Sequence, residues 1–303
     1  MVYTICASLP VAAFGVLGPI LRKKCPDGFI LSEWVRQRYG FAAAIYLSFF
    51  TCFTMFLYMM AELSAIRGAI ETLTNLNALG AVIVQCGVTT IYTSIGGFSV
   101  SFITDNFQGA FVIILIIICA AGMGTHIDID TSTVGPSGLL DANKLGWQLI
   151  YILLVAIGTN CMFLNSFWLR TFASKSDNDL RIGTFASAFI VFIVLSLVGS
   201  TGFLAVWSGD LTIGDPQGAY AFYILLAKMP RWVVGFVLIF VISLSTCAFD
   251  SLQSAMVSTI SNDFLRNKLK IVYIRVLVVL IIIPIVVLAV KVADNILQIY
   301  LIA

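Results

Sequence analysis

The chain has 303 residues, of which 60% are hydrophobic and 11% are charged, whereas a soluble domain carries about 25% charged residues. This composition excludes an ordinary water-soluble fold, and the long unbroken apolar runs are typical of transmembrane helices rather than of a barrel. The net charge of only +2 argues against a nucleic-acid-binding protein.

Eight apolar segments are predicted to be transmembrane helices, and a ninth begins near Ile296. In chain order the eight segments cover residues 3–21, 41–61, 79–95, 107–124, 147–169, 184–207, 233–260 and 271–290. We therefore predict an all-α membrane protein that forms a single transmembrane domain over residues 1–303.

The distribution of basic residues predicts the orientation in the membrane. The connections at 22–40, 170–181 and 266–275 hold most of the 17 lysines and arginines, so the positive-inside rule places them in the cytoplasm and the N-terminus outside. An outward N-terminus without a secretory signal, together with the interrupted ninth segment, suggests that the chain lacks parts at both ends. The alternative is a complete small membrane protein, and in either case we expect a multi-pass plasma-membrane protein.

The residue types required for enzymatic or metal chemistry are sparse. The seven cysteines are scattered and form no CxxC pair, and the chain has one histidine. We interpret the cysteines as small apolar packing residues and expect no resident metal or cofactor. The sequence has neither an HExxH nor a GxSxG motif, which argues against a membrane enzyme.

The seventh segment carries the most polar residues. Ser245 and Thr246 lie near the middle of the bilayer, and Asp250 follows four residues later. Hydroxyl oxygens are suitable ligands for a hard cation such as Na⁺, although small residues at these positions also permit close helix packing. Asp250 is predicted either to attract a cation or proton or to form a structural ion pair.

The fifth segment combines glycine with polar residues at mid-membrane. Gly158, Thr159 and Asn160 are followed by Asn165 and Ser166, a pattern typical of a broken helix whose freed backbone groups bind a solute or an ion. A simple kink remains the alternative.

The connection between the third and fourth segments contains a glycine pair. Gly96 and Gly97 permit a sharp cytoplasmic turn, and we expect Thr104 or Asp105 to cap the helix that follows.

These residues belong to motifs that resemble those of the sodium:solute symporter family. The segment 92–108, which reads YTSIGGFSVSFITDNFQ, resembles the family's hallmark, and 167–176 resembles a second family segment, except that Leu169 replaces a glutamine. The end of the seventh segment, Asn262-Asp263-Phe264, resembles the family's acidic-aromatic ending. The resemblance covers nearly the whole chain and is strongest to fungal, urea-transporter-like members.

The resemblance implies the family's inverted-repeat fold with five-plus-five core helices, of which this chain would supply helices two to nine and the start of ten. It places cation-binding positions at Ile242, through its backbone carbonyl, and at Ser245 and Thr246. Asp250 is added to this set because it lies one turn further along the same helix. The resemblance places substrate-binding positions between 160 and 167, where we select Asn160, Asn165 and Phe167.

The predicted function is secondary active transport of a small polar solute, driven by a Na⁺ or H⁺ gradient. The sequence leaves urea, a polyamine, proline and a sugar open as solutes, with urea suggested by the fungal resemblance. The alternative is a transport-dead fragment or an interaction subunit of such a transporter.

Overall fold

The computed structural model describes residues 2–142, 144–266, 268 and 270–291. The secondary structure of the described residues consists of helices joined by turns and loops, with no β-strand. The α-helices are α1 (Val2–Lys24), α2 (Leu31–Tyr39), α3 (Phe41–Thr74), α4 (Leu79–His126), α5 (Thr131–Val134), α6 (Lys144–Phe163), α7 (Asn165–Ala173), α8 (Asp177–Trp207), α9 (Ala221–Ala227), α10 (Arg231–Thr259) and α11 (Ile271–Lys291). A 3₁₀ turn (Pro216–Tyr220) precedes α9, and a π-helical turn (Ile260–Phe264) ends α10.

Six helical segments of the described chain are long and apolar enough to cross a membrane. They are Val2–Lys24, Phe41–Thr74, Ser101–His126, Lys144–Phe163, Asp177–Trp207 and Arg231–Phe264. Two shorter apolar segments, Leu79–Ile95 and Val279–Ala289, correspond to the predicted third and eighth segments. The prediction of an all-α membrane protein is confirmed, and the predicted ninth segment near Ile296 lies outside the described residues.

Helix α4 contains two of the predicted segments, and their contacts with α10 show that they run in opposite directions. Gln85 bonds to Ser245 and Tyr92 to Asp250, so residue numbers rise together along the first half. In the second half the order inverts, since Ser101 contacts Asp250, Gln108 bonds to the Ser243 carbonyl and Phe111 packs on Phe240.

Tyr92 and Ser101 reach the same carboxylate although nine residues would separate them by about 13 Å along a straight helix. The helical backbone assignment is continuous from Leu79 to His126, so the reversal lies between Tyr92 and Ser101, where the sequence has Gly96 and Gly97. The predicted reversal at this place agrees with these contacts. The predicted helix cap is wrong, because Thr104 and Asp105 lie inside the helix and their side chains bond to other elements.

The fifth predicted segment is divided into α6 and α7 by Leu164, whose backbone is extended (φ −75°, ψ 115°). The break frees carbonyls that lipid cannot satisfy. The Met162 carbonyl accepts a hydrogen bond from the Trp168 indole at 2.7 Å, and the Phe163 carbonyl accepts one from the Thr51 hydroxyl at 3.2 Å. The predicted broken helix is therefore present, but it breaks at Leu164 and not at Gly158, which lies within α6.

Two close helix contacts fix the architecture around this break. Helix α1 packs along α8, where a Cβ on Gly15 would lie 2.4 Å from the Thr184 hydroxyl and one on Gly18 would lie 2.7 Å from Leu180. Small residues allow such backbones to approach closely in a membrane. Helix α10 packs between α3 and α4, and this places its polar residues at the centre of the molecule.

Candidate functional site

The polar residues of α10 are mostly buried, and their partners come from α3, α4 and α7. Ser245, Asp250, Gln253, Ser254 and Thr259 all belong to this buried set. Gln253 Oε1 and Ser254 Oγ have no hydrogen-bond partner among the described residues. The contacts of Ser245, Asp250 and Thr259, in contrast, indicate what these side chains can bind.

Ser245 and Thr246 are adjacent in the chain but have different partners. The Ser245 oxygen accepts a hydrogen bond from the Gln85 amide at 2.9 Å, and Ser245 lies in the same cavity wall as Glu62, close enough for its hydroxyl to interact with the carboxylate. The Ser245 hydroxyl therefore has its proton available for the carboxylate. Thr246 instead donates to the Ile242 carbonyl at 2.8 Å, which places these two predicted cation ligands next to each other.

Asp250 lies in a separate cluster of hydroxyl groups. Its side chain is fully buried (0% exposed). The Tyr92 hydroxyl donates to it at 2.5 Å and the Ser101 hydroxyl at 2.7 Å, and Thr104 and Ser251 donate at 3.3 Å. Among the described residues no lysine or arginine forms a salt bridge with Asp250. The Thr104 hydroxyl also donates to the Ser101 carbonyl at 2.9 Å. Tyr92, Ser101 and Ser251 are therefore the hydroxyl groups whose protons replace the water that a carboxylate would otherwise bind.

A second charged cluster adjoins Asp250. Arg170 of α7 forms a salt bridge with Asp105 of α4 and donates to the Ser251 hydroxyl at 2.6 Å. The Cys247 thiol donates to the other Asp105 oxygen at 2.7 Å. Asp105 and Arg170 each lie in a segment that resembles a family motif, but the sequence alone did not show that the two residues pair with each other. This cluster joins α4, α7 and α10, and its Arg170 lies on the helix that follows the break at Leu164.

The three predicted substrate positions do not form one cluster. Asn160 lies on α6 and is half-buried, whereas Asn165 is buried at the start of α7 and donates to the Thr259 hydroxyl at 2.9 Å. The Asn165 side-chain oxygen is buried without a hydrogen-bond partner. Phe167 stacks on Phe14 of α1 with ring centroids 5.4 Å apart.

A cavity of about 580 Å³ lies among α3, α4, α8, α9 and α10. This volume is within the range of small-molecule sites, which hold about 300–1,000 Å³. Its wall is mainly aliphatic and aromatic, and its polar side chains are Glu62, Ser200, Tyr223 and Ser245. No lysine, arginine or histidine occurs among the described residues that line it.

Glu62 is the functional residue that the sequence reasoning missed. It lies one residue beyond the predicted 41–61 segment but within the long helix α3. It is partly exposed and lines the cavity beside Ser245. A carboxylate within an apolar helix is a functional candidate on that ground alone, so the signal was present at the segment boundary.

An acidic loop adjoins one part of the cavity wall. Ile127 and Ile129 line the cavity, and Asp128 and Asp130 alternate with them in the chain. The side-chain and backbone hydrogen bonds from Ser132 lower the pKa of Asp130, which keeps this exposed carboxylate ionised. Negative charge beside a cleft attracts cations and repels anions.

Comparison of the sequence with known proteins identifies the family of this chain. Spermidine transporter DUR31 of Candida albicans is 71% identical over 303 residues, which is all of this chain and 58% of that protein's length. A putative sodium-dependent multivitamin transporter of Drosophila melanogaster is 29% identical over 116 residues, or 37% of this chain and 19% of that protein. Residues 3–303 match the sodium:solute symporter family. The chain belongs to the sodium:solute symporter family of membrane transporters.

Proposed function

We propose that this chain forms the solute- and cation-binding part of a secondary active transporter for a polyamine of the spermidine type. The observation that carries the proposal is the 71% identity, over the whole of this chain, to a protein named as a spermidine transporter. The chain spans 58% of that relative, so transport is proposed for the full-length protein.

The cavity supports a polyamine among the solutes that the sequence left open. A polyamine alternates protonated amines with apolar methylene segments, and the cavity combines one carboxylate with a largely apolar wall. Urea and sugars are neutral, so a site that binds them needs several hydrogen-bonding groups and does not need a carboxylate to balance a positive charge. Urea, which the fungal resemblance suggested, is therefore the less suitable solute for this cavity.

A gradient of Na⁺ or H⁺ is proposed to drive the transport, without a further cofactor. The adjacent Ile242 carbonyl and Thr246 hydroxyl supply two oxygens of the proposed cation site. Ser245 and Asp250 remain proposed members of the cation-binding set, but their partners place Ser245 towards the cavity and Asp250 within the hydroxyl cluster. Asn160, Asn165 and Phe167 likewise remain proposed solute positions near the helix break.

Uptake of radiolabelled spermidine tests this proposal. Yeast cells that lack their own polyamine uptake, and that express the full-length protein, should accumulate spermidine faster than cells with an empty vector. Unlabelled spermidine should compete, and urea in the same excess should not. Uptake no faster than that of the vector control, with the protein present at the cell surface, would contradict the proposed function.

A further inference from the structure

We infer that Glu62 binds a protonated amine of the solute and that Ser245 and Gln85 hold its carboxylate in position. The inference rests on the proposed transport of a polyamine and adds the residue that recognises its charge. It is argued from the position of Glu62, from its partners and from the chemistry of the surrounding wall.

Position is the first argument. Glu62 lies on α3 and belongs to the cavity wall together with Ala65 and Ile66 of the same helix. No other acidic side chain lies among the described residues that line the cavity. Among the described lining residues, Glu62 is therefore the carboxylate with which a cation in the cavity can pair.

The partners of Glu62 are the second argument. The Gln85 amide donates to the Ser245 oxygen, which leaves the Ser245 proton available for the Glu62 carboxylate beside it in the cavity wall. This chain of hydrogen bonds orients the carboxylate without neutralising it, because serine and glutamine carry no charge. Among the described residues no basic side chain forms a salt bridge with Glu62, and nearby Arg67 pairs with Glu71.

A carboxylate inside an apolar region is costly unless a cation or a set of donors compensates it. Asp250 is surrounded by four hydroxyl groups, whereas Glu62 has Ser245 beside it and the open cavity. A ligand ammonium group would supply the missing positive charge and form charge-assisted hydrogen bonds.

The rest of the cavity wall suits the remainder of such a solute. Leu115, Ile116 and Val198 offer aliphatic surface for methylene groups. Tyr223 presents an aromatic ring to the same space, and such a ring attracts a second ammonium group through its π face. An anionic solute would find no basic partner among the described lining residues.

The substitution Glu62→Gln tests the inference because it removes the charge but keeps the shape and an oxygen that can accept from Ser245. The variant loses the charge-assisted hydrogen bond to the ammonium group, so we expect the KM for spermidine to rise at least about tenfold. Maximal uptake per transporter at the cell surface should change little. Glu62→Asp keeps the charge on a shorter side chain and should show a smaller rise.

Glu71→Gln is the matched control, since it removes a carboxylate from the same helix outside the cavity and should leave the KM unchanged. An unchanged KM in Glu62→Gln, in cells whose wild-type protein transports spermidine, would overturn the inference alone. Absent uptake by the wild-type protein would instead overturn the proposed function.

A protection measurement does not depend on expression of the Glu62→Gln variant. Ala65 lines the cavity one turn from Glu62, so Ala65→Cys should gain reactivity towards a thiol reagent over the parent protein. Spermidine should slow this additional labelling at least about tenfold when it saturates the site, as expected for a site closed by its ligand. Labelling that spermidine leaves unchanged would contradict an amine site at Glu62.

Discussion

Asp250 and Glu62 show two ways in which a transmembrane helix can hold a carboxylate. Four hydroxyl groups surround Asp250, so its charge is compensated within the protein. Glu62 has one hydroxyl partner and faces a cavity. The sequence indicated Asp250 by its place in an apolar run, but it could not separate a compensated carboxylate from an available one, because three of the four hydroxyl groups come from α4.

Removal of the Tyr92 hydroxyl should therefore destabilise the protein without removing its cavity. In Tyr92→Phe, Asp250 loses a donor at 2.5 Å, and a hydrogen bond to a charged group contributes about 1.5–3 kcal/mol. We expect a lower midpoint of thermal unfolding for the protein in detergent. Tyr151→Phe removes an exposed hydroxyl and should leave the midpoint unchanged, and equal midpoints for both variants would contradict the role given to Tyr92.

The different partners of Ser245 and Thr246 predict different phenotypes for two near-isosteric substitutions. Ser245→Ala removes the hydroxyl that orients Glu62, so it should raise the KM for spermidine. Thr246→Val removes a proposed cation ligand, so it should raise the Na⁺ or H⁺ concentration required for half-maximal uptake. Kinetics at varied solute and varied ion measure both effects, and identical changes in the two variants would argue against separate sites.

The elements show which parts of the fold a sequence can predict. Long apolar runs predicted the membrane segments because lipid thickness sets their length. The break at Leu164 was displaced from the predicted Gly158, because Trp168 and Thr51 satisfy the freed carbonyls near Leu164. The cavity was not predictable, since its wall is drawn from five helices that are distant in the chain.

The packing of α1 on α8 predicts that Gly18 tolerates no larger residue. A Cβ there would lie 2.7 Å from both Leu180 and Thr171, so Gly18→Val should destabilise the protein by roughly 1–3 kcal/mol, the usual cost of overpacking. Gly183 of α8 has open space around its Cα, so Gly183→Val is the control. Thermal unfolding in detergent compares the two, and equal stability would contradict the α1–α8 contact.

At the scale of the whole molecule, the predicted orientation places the acidic loop beside the cavity on one side of the membrane and the Arg170–Asp105 pair towards the other side. With the N-terminus outside, the acidic 125–146 loop lies outside, next to the cavity residues Ile127 and Ile129. The Arg170–Asp105 pair then lies towards the cytoplasm. A solute would reach Glu62 from outside and would meet the charged cluster before it leaves.

Cysteine labelling in intact cells tests this orientation. Asp27, in the connection predicted to be cytoplasmic, is exposed and is therefore a suitable labelling site. Asp27→Cys should resist an impermeant thiol reagent, and Asp141→Cys, exposed in the outer loop, should react. Efficient labelling at position 27 from outside would reverse the orientation.

Gradient-driven accumulation in liposomes tests the central claim, which is coupled transport of a polyamine, most directly. Purified full-length protein is reconstituted, and the uptake of radiolabelled spermidine is followed with an inward Na⁺ gradient, an inward H⁺ gradient or no ion gradient. We expect one of the two gradients to drive spermidine above its external concentration, and an ionophore that dissipates this gradient to abolish the accumulation. Equilibration without accumulation under both gradients would contradict coupled transport.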